Sequence, residues 1–515
     1  QKANNTQAKT VVPGLIAVLK DDDVHVRMLA AEALNRLGPD AEAATRPLVE
    51  ALKDPDTEVR RGAAWALGGI GFRAKAAVPA LLAALKDPDA LVRLGAIDAL
   101  EEMGPGQKEV VLALIEILKD RDARVREPAI LALGGLGSKA EAAAVPVAEL
   151  LKDIKLEESW RIAFTLGQLG SGAKAAVPVL VAALKDPDVK LRRKAAQVLG
   201  AIGSQAGTAI DPLVEALKDR NNDVRAQAAA ALGSIAAESK KALPALLAVL
   251  KDSDAEVRAS AISSLAKLDL EAKTAIPLFV NALSDKEAAV CSSAAYALGH
   301  CASEAKVVIP PLVGALRHKD ARVREAATNA LGGLGSAATT AVPALWEAMK
   351  DSSLNVRLSA NAALVRIDAD HRNEHLANLI ASLQDKDVEV RRQTPWTLSG
   401  LGSQARPAVP ELLKALHNAD KQVASAAGLA LVGIAPETPA VIDAFVKHLK
   451  SSDHFVRVEA ARNLVICRGP AAKSAVGPLL HALRDRERIV RRVAAAALNK
   501  IDPEAAKRAG LPGVK

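Results

Sequence analysis

The chain has 515 residues, half of them hydrophobic, only ten aromatic and 25% charged, with a formal net charge of +8. The mean hydropathy of +0.12 and the large hydrophobic share exclude a disordered chain. No apolar run approaches the roughly 18 residues of a membrane span, which predicts a soluble protein. A hydrophobic half with few rings favours close-packed helices over β-sandwiches.

One tripeptide repeats along nearly the whole chain. Leu19-Lys20-Asp21 recurs at residues 52, 85, 118, 151, 184, 217 and 250, each step being 33 residues. Degenerate copies follow at Leu283, Leu316, Met349, Leu383, Leu416, Leu449 and Leu483, with one-residue insertions before Leu383 and Leu483. A fixed period of this size indicates a solenoid, in which each repeat buries its apolar face against its neighbours.

Each repeat predicts two helices. The first has apolar residues at helical spacing behind a proline, which a helix tolerates in its first turn. These prolines are Pro13, Pro47, Pro79, Pro146, Pro178, Pro212, Pro244, Pro277, Pro310, Pro343, Pro410 and Pro478. A turn follows, in which the second aspartate is placed to cap the second helix. We expect this capping role for Asp23, Asp56, Asp89, Asp122, Asp188 and Asp254.

The second helix ends on a Leu-Gly-x-Leu/Ile-Gly pattern, as in Leu133 to Gly137. Its final glycine is expected to be left-handed, as at many helix ends. Pro128 and Pro395 lie inside second helices and should kink them, and the kink at Pro395 would tilt Trp396 outward.

An arginine stands four residues after the capping aspartate in twelve of the fifteen repeats. Such regularity favours a structural ladder, in which each arginine bonds an aspartate or turn carbonyl of an adjacent repeat with its rigid multi-donor fork. The members are Arg27, Arg60, Arg93, Arg126, Arg192, Arg225, Arg258, Arg324, Arg357, Arg391, Arg457 and Arg491.

Three repeats lack the ladder arginine and carry Ser159, Cys291 or Ala424 in its place. The fifth repeat deviates most, since Glu158-Ser159 replaces the usual Val-Arg pair. This predicts local loosening or a bend around residues 153–162, which low hydrogen-exchange protection there would support.

These motifs carry a family resemblance. The Val-Pro start, Leu-Lys-Asp, Asp-x-x-Val-Arg and Ala-Leu-Gly-x-Ile-Gly patterns resemble HEAT-like repeats of the phycobilisome-lyase (E-Z) type over residues 8–502. The resemblance implies an α-solenoid, usually a protein-binding scaffold, with second helices on its concave face, and some members assist bilin attachment. No ankyrin Thr-Pro-Leu-His motif and no tetratricopeptide Trp/Tyr signature is present.

The variable positions of the second helix predict a binding surface. They lie nine and thirteen residues after the leucine of each Leu-Lys-Asp motif, one helical turn apart, and we call the two columns together the ridge. The thirteenth-residue column holds Glu32, Trp65, Asp98, Leu131, Phe164, Gln197, Ala230, Ser263, Tyr296, Asn329, Ala362, Trp396, Leu429, Arg462 and Ala496.

Four of the ten aromatic residues share that column, and the ninth-residue column adds Trp160. Arg61 and Arg392 lie one turn before a tryptophan and so can cover its ring. The predicted partner-binding residues are Arg61, Trp65, Trp160, Phe164, Tyr296, Arg392 and Trp396, because exposed Trp, Tyr and Arg anchor interfaces. The alternative is that these rings fill gaps left by Gly and Ala in adjacent repeats.

The net charge is concentrated at the C-terminal end. Residues 1–448 carry 54 basic and 54 acidic side chains, whereas residues 449–515 carry 14 and 6. The basic cluster consists of Arg484, Arg486, Arg488, Arg491 and Arg492. It predicts a solvated end cap, with docking of an acidic partner, nucleic acid or a membrane surface as alternatives. A nucleic-acid-binding solenoid should carry a basic stripe along its groove, and the balanced remainder argues against one.

One short string matches a zinc-protease spacing. His371-Arg372-Asn373-Glu374-His375 fits H-x-x-E-H, in which two histidines bind zinc and the glutamate acts as base. The string falls in an inter-repeat turn beside an insertion, with ordinary repeats on both sides. We therefore expect a solvated turn and keep His371 and His375 as a weak metal candidate only.

The cysteines and the chain ends add little. Cys291, Cys301 and Cys467 have no C-x-x-C spacing, so they predict buried small side chains rather than disulfides, zinc or haem. The chain starts at Gln1 without an initiator methionine or a signal peptide, which fits a processed exported protein or a trimmed chain. The compartment therefore stays open.

Together these patterns predict an all-α, right-handed solenoid of about fifteen repeats over residues 1–515, with a C-terminal tail at 503–515. The predicted function is a monomeric, non-enzymatic scaffold that binds a protein or peptide along the second-helix face without a cofactor. A bilin lyase-like or chaperone-lyase role is the first alternative. Binding of nucleic acid or an acidic partner through the C-terminal repeats is the second.

Overall fold

The protein is an all-α solenoid of stacked helix pairs. A computed structural model describes residues 2–103, 108–153, 159–235, 240–268, 270–509 and 511, and these contain fifteen helix pairs, one further helix and no strand. First helices carry odd numbers and second helices even numbers: α1 Lys2–Val18, α2 Val24–Leu37, α3 Thr45–Ala51, α4 Thr57–Ile70, α5 Val78–Ala84, α6 Ala90–Met103, α7 Lys108–Ile117, α8 Ala123–Gly135, α9 Ala144–Glu149, α10 Ser159–Gln168, α11 Val177–Ala183, α12 Val189–Ile202, α13 Ile210–Ala216, α14 Asn222–Ile235, α15 Leu243–Ala248, α16 Ala255–Leu265, α17 Ala272–Ala282, α18 Ala288–Gly299, α19 Ala305–Ala315, α20 Ala321–Gly333, α21 Val342–Ala348, α22 Leu354–Ile367, α23 Arg372–Ala381, α24 Val388–Gly400, α25 Val409–Ala415, α26 Lys421–Ile434, α27 Pro439–His448, α28 His454–Ile466, α29 Val476–Ala482, α30 Arg488–Ile501 and α31 Pro503–Arg508.

Most second helices begin at a capping aspartate. Asp56 Oδ1 accepts hydrogen bonds from the backbone N–H groups of Glu58 and Val59, at 2.8 and 3.3 Å. These bonds satisfy donors that have no partner inside the helix. The same cap begins the second helices after Asp23, Asp89, Asp122, Asp188 and Asp254.

Several second helices are followed by a glycine with a positive φ. Gly71 has φ 68° and ψ −144°, and Gly203 has φ 65° and ψ −140°. The positive φ agrees with the expected left-handed glycine, but the ψ values do not. These residues occupy a region that essentially only glycine adopts, outside the left-handed helical basin.

First helices are short where a glycine precedes them. A seven-residue 3₁₀ segment, such as Gly71–Ala77, then leads into a helix such as α5, whose Pro79 lies in the first turn. Pro277 and Pro310 depart from the predicted first-turn position, since α17 and α19 begin five residues before them. The sequences before these helices lack the glycine, so the helix starts early and includes the proline. Pro13 also lies inside its helix.

The core lies between the two helix layers and between successive second helices. Most repeats bury the leucine of the first helix and the Val and Leu of the second, for example Leu81, Val92 and Leu100. Successive second helices pack closely, as α14 does with α16. At this junction a β-carbon on Gly233 would lie 2.7 Å from the Cα of Ser264. Only glycine therefore permits this helix spacing.

The helix contacts divide the chain into two compact units. The first unit comprises Gln1–Ala175 together with Glu437–Lys515, and the second comprises Ala176–Pro436. The first unit thus contains repeats 1–5 and 14–15, which are distant in sequence. In the predicted tail, α31 is capped by Asp502 and buries Ala505 and Ala506.

One segment has the length and composition of a membrane span. An 18-residue window within Thr57–Ala84 reaches a mean hydropathy of 1.2, but 56% of it is buried inside the protein. Core helices of stacked repeats have the same composition, so this segment is explained by its packing.

Irregular second helices are expected at two kinds of position, namely at the internal prolines and in the fifth repeat. The helices α8 and α24 continue through Pro128 and Pro395 respectively. In the fifth repeat, residues 154–158, including Glu158, lie outside the described residues, and Ser159 begins α10 as a buried residue.

Candidate functional site

Eight of the twelve ladder arginines pair with an aspartate of the next repeat, whereas Arg126, Arg357 and Arg391 donate to carbonyls of their own turn. In the second unit, Arg258 Nε and Nη2 donate to the Oδ2 and Oδ1 atoms of Asp285 in the following repeat, at 2.8 and 2.7 Å. Its Nη1 donates to the carbonyls of Asp252 and Ser253 in its own turn, at 2.8 and 3.1 Å. Equivalent ion pairs join Arg27–Asp54, Arg60–Asp87, Arg93–Asp120, Arg192–Asp219, Arg225–Asp252, Arg324–Asp351 and Arg457–Asp485. The aspartate thus belongs to the adjacent repeat and the carbonyls to the arginine's own repeat.

Two gaps in the ladder are paired gaps. Where Cys291 replaces arginine, the residue at the facing aspartate position is His318; where Ala424 replaces it, that residue is Ser451. Cys291 Sγ donates to the carbonyl of Asp285 at 3.1 Å, one of the turn carbonyls that an arginine would bind. The loss of both charges avoids an unpaired buried ion, which is costly. The sequence alone contains the signal for this pairing, since each of these two missing arginines is matched by a missing aspartate in the next repeat.

The ladder lowers the pKa of two aspartates in the second unit, Asp252 and Asp285. Hydrogen bonds from Arg225 and Arg258 are the largest cause that holds the pKa of these carboxyls below the ordinary 3.8, and burial acts in the opposite direction. Asp252 and Asp285 are therefore ionised over the whole physiological pH range.

In the first unit, Trp65 packs partly against the next repeat. A β-carbon on Gly95 would lie 2.9 Å from Trp65 Cδ1, so the ring covers that glycine. Arg61 lies over the ring with its guanidinium carbon 5.1 Å from the ring centroid, and it also pairs with Glu58. Trp65 is 36% exposed, so it both fills a gap and reaches the surface.

Trp160 and Phe164 form the more accessible aromatic pair of the first unit. They lie one turn apart on α10 and are 50% and 47% exposed. The guanidinium of Arg161 lies 5.1 Å from the Trp160 ring centroid and pairs with Glu127. The sequence did not single out Arg161, because it stands beside the ridge columns rather than in them.

In the second unit, Tyr296 and Trp396 are the exposed ridge aromatics. Tyr296 is 61% exposed and stacks against His300 at 4.6 Å, and Trp396 is 53% exposed. Arg392 is engaged elsewhere than over Trp396: its Nη2 donates to Asp420 at 2.6 Å, and its Nη1 donates to Glu389.

The arginines of the C-terminal basic cluster differ in the contacts that they make. Arg488 pairs with Asp98 at 2.9 Å and with Glu102 at 2.9 Å, and Arg492 pairs with Glu101 at 3.1 Å. Arg491 is buried and donates to the carbonyls of its own turn. We call the contact of Arg488 and Arg492 with the acidic residues of repeat 3 the seam.

The seam corrects the expectation of a solvated end cap for Arg488, Arg491 and Arg492. It also occupies the ridge at repeat 3, because Asp98 belongs to the thirteenth-residue column and Arg492 to the ninth. The ridge of the first unit is therefore interrupted between Trp65 in repeat 2 and Trp160 in repeat 5. Glu101 and Glu102 stand where repeat 2 has Gly68 and Gly69. This substitution was the sequence signal for the seam.

Comparison with known families decides the classification. Models of HEAT repeats match residues 45–134, 78–155, 146–232, 210–299 and 276–365, which together cover 45–365, and a further HEAT repeat matches 11–41. The chain belongs to the HEAT-repeat family. The matching models describe HEAT repeats in general, so the phycobilisome-lyase resemblance stays a prediction.

Solved HEAT structures resemble the whole chain. Yeast importin-β (Kap95p) is 14% identical with a TM-score of 0.55, over 98% of this chain and 78% of that one. A structure of Kap95p binding RanGDP is 14% identical with a TM-score of 0.49, over 95% and 80% of the respective chains. None of the curated proteins compared with the chain matches it. At 14% identity the likeness to yeast importin-β shows the fold alone.

The zinc-like string of this HEAT array is hydrogen-bonded to Asp368. His371 is exposed, as expected for a solvated turn, whereas His375 is fully buried on α23, which corrects that expectation for this residue. Asp368 Oδ2 lies 3.1 Å from Nδ1 of His371 and 3.5 Å from Nε2 of His375, and the ring of Trp346 packs on both imidazoles. Glu374 is exposed. Within the described residues no group of His, Cys, Asp and Glu has an arrangement that could hold a metal ion.

The cysteines of the HEAT array are free thiols. Cys291 and Cys467 are buried and Cys301 is half-buried. Burial raises the pKa of the Cys467 thiol to about 12, which leaves it protonated and unreactive at neutral pH.

Proposed function

We propose that the protein is a non-enzymatic scaffold that binds a protein or peptide segment on its second-helix face. The observation that supports this is the exposure of Trp160, Phe164, Tyr296 and Trp396 in a chain with only ten aromatic residues. These rings project from the columns that vary between repeats, whereas the columns of the core and the ladder stay nearly constant. The binding face consists of separate anchor sites, because the seam interrupts the ridge at repeat 3.

The pair of Trp160 and Phe164 is the principal anchor in the first unit. Each ring buries roughly 150–250 Å² when fully covered. Since half of each side chain is already buried, a partner would remove on the order of 200 Å² of further apolar surface from the two rings together. At about 25 cal/mol per Å² this corresponds to about 5 kcal/mol before the entropy of association is subtracted.

Arg161 and Glu127 flank this anchor and place a charged pair at its edge. Their ion pair, at 3.3 Å, leaves both side chains only about one-quarter exposed. A bound segment that places an apolar side chain between the two rings would also meet this fixed pair at its edge. We therefore expect ligands with an aromatic or branched apolar residue beside a polar one.

The test is selection of binders from a displayed random peptide library on the full chain. Selected peptides should bind the native protein and lose at least tenfold in affinity for the double variant Trp160→Ala, Phe164→Ala. The matched control is Leu112→Ala, since Leu112 is 49% exposed but lies on the first helix α7 of the same unit. Peptides that bind the double variant as well as the native protein, or that respond equally to the control, would overturn this assignment.

The second unit allows an independent measurement. Fluorescence of a variant that retains Trp396 as its sole tryptophan should change when a selected peptide binds there, and Trp396→Ala should weaken that binding. Arg392→Ala should have a smaller effect, because Arg392 is held by Asp420 and Glu389.

A further inference from the structure

Two adjoining cavities lie in the first compact unit where the first and last repeats meet. The larger one, of about 860 Å³, is lined by residues of repeat 1 and of repeats 14 and 15. The second, of about 490 Å³, is lined by Arg73, by α29 and the turn after it, and by α31. The two cavities share His481 and Arg484 on their walls, and we call them together the crevice.

The crevice is strongly basic. Its cationic side chains come from three separate parts of the chain, namely Arg36, Arg73, Lys450, Arg484, Arg486 and Arg508. The acidic residues on its wall are Asp40 and Asp485, and Asp485 is already paired with Arg457 at 2.7 Å. Arg73 pairs with Glu42 at 3.6 Å. The cationic side chains still outnumber the acidic ones on the wall, so the crevice carries a net positive charge.

The central cations are available to a ligand. Lys450 and Arg484 are exposed and make no salt bridge within the residues that the structure describes. Arg36 and Arg486 are held only by long surface pairs, at 3.6 Å to Glu32 and 3.7 Å to Glu487. Exposed pairs of this kind contribute about 1 kcal/mol or less, so an anion can displace them.

We propose that this crevice binds a small, multiply phosphorylated anion. Several converging cations in a concave site raise the local concentration of anions, and the guanidinium fork matches phosphate oxygens in two-point contacts. A volume of several hundred Å³ suits a small molecule rather than a folded partner. The ligand joins Arg36 and Arg73 of the first two repeats to Lys450 and Arg484 of the last two.

Because the ligand contacts both the first and the last repeats, its binding is coupled to the stability of the first unit. Repulsion among these cations opposes the approach of the terminal repeats, whereas the seam favours it. A bound anion removes the repulsion, so it should raise the thermal stability of the unit as its concentration increases.

The probe for the test is tripolyphosphate, titrated calorimetrically into the full chain at constant ionic strength. One saturable site is expected, and Lys450→Ser and Arg484→Ser should each weaken it at least fivefold, together at least twentyfold. The matched control is Lys185→Ser, since Lys185 occupies the same position of its repeat as Lys450 and Arg484 and is exposed in the second unit. All three substitutions are at exposed positions, and their thermal midpoints without ligand report whether folding is intact.

Three outcomes would overturn the proposal. They are an absence of saturable binding, an equal loss in the Lys185→Ser control, and binding of a phosphorylated peptide without binding of tripolyphosphate. A rise in the thermal midpoint with tripolyphosphate that both crevice variants abolish would support it. Because the crevice lacks the ridge aromatics, these results are independent of the peptide-binding test.

Discussion

At the scale of single residues, the ladder explains why one arginine recurs along the array. Arg258 is 6% exposed and uses three of its nitrogens, two on the carboxylate of Asp285 and one on two turn carbonyls. A buried ion pair adds little net stability compared with apolar residues, but removal of one partner leaves the other charge unpaired. The ladder therefore specifies the register of adjacent repeats.

Truncation of a ladder arginine should be costly. Arg258→Ala leaves the Asp285 carboxylate partly buried without its cation, and we expect a loss of about 3–5 kcal/mol in the free energy of unfolding of the second unit. Urea denaturation measures this loss. Arg322→Ala is the control, because Arg322 is 70% exposed and pairs only with Asp320 of its own repeat. A similar loss in both variants would contradict the specific role of the ladder.

The paired gap can be filled. Cys291→Arg alone places a cation opposite His318 and should destabilise the second unit, whereas Cys291→Arg with His318→Asp should recover at least the native thermal midpoint. A double-mutant cycle should give a coupling of about 1–3 kcal/mol. Additive effects would show that the two positions do not form a ladder rung.

Acid should weaken the array through the same carboxylates. The pKa values of Asp219, Asp252, Asp285 and Asp351 are lowered chiefly by hydrogen bonds from their arginines. Their folded-state pKa lies below the unfolded value of 3.8, so their contribution is complete above about pH 5, begins to fall near 3.8 and is lost as the pH falls through the lower folded-state pKa. Urea midpoints measured from pH 6 to pH 3 should show this loss. It should be smaller in Arg258→Ala, and an unchanged acid profile in that variant would contradict the assignment.

At the scale of the helices, the 33-residue period predicts most of the architecture, since caps, prolines and glycines recur at fixed positions. The prediction fails where a repeat omits one of these residues. The helix α19 starts at Ala305 because no glycine precedes it, so Pro310 falls in its interior. His375 was misplaced for a related reason: Asp368 replaces the usual glycine, and His375 lies buried beside its carboxylate while His371 stays exposed.

The close helix junctions give a prediction at this scale. Gly233→Ala should destabilise the second unit by about 2–3 kcal/mol, because its β-carbon would overlap the Cα of Ser264 at 2.7 Å. Gly333→Ala, near the end of another second helix, has no atom within 4 Å of its β-carbon and should be neutral or slightly stabilising. Thermal unfolding of the two variants distinguishes these effects. Equal midpoints would indicate that α14 and α16 can separate at little cost.

At the scale of the whole molecule, part of the C-terminal basic cluster forms ion pairs with repeat 3 that the sequence does not reveal. The exposure of the ridge follows from helical periodicity, so the candidate anchors could be predicted. The seam could not, because it joins Glu102 to Arg488 across 386 positions. No local pattern encodes such a contact, although the replacement of two glycines by Glu101 and Glu102 hints at it.

The seam should respond to charge and salt. Arg488→Glu places like charges against Asp98 and Glu102 and should increase hydrogen exchange in α30 and α31, while repeats of the second unit stay protected. Arg486→Glu is the control, because Arg486 pairs only with its neighbour Glu487 at 3.7 Å. Higher ionic strength should partly mimic Arg488→Glu, since the seam pairs are only part-buried. Unchanged exchange in α30 would contradict a stabilising seam.

The paired gap at Cys291 and His318 also limits how such an array can change its length. Loss of repeat 7 would bring Arg192 opposite Asp252, which is a matched junction. Loss of repeat 9 would instead place Arg258 opposite His318, and loss of repeat 10 would place Asp351 opposite Cys291. Gene duplications and deletions that remove whole repeats are therefore not equivalent along the chain. Repeats 9 and 10 can be gained or lost without a mismatched junction only as a linked pair.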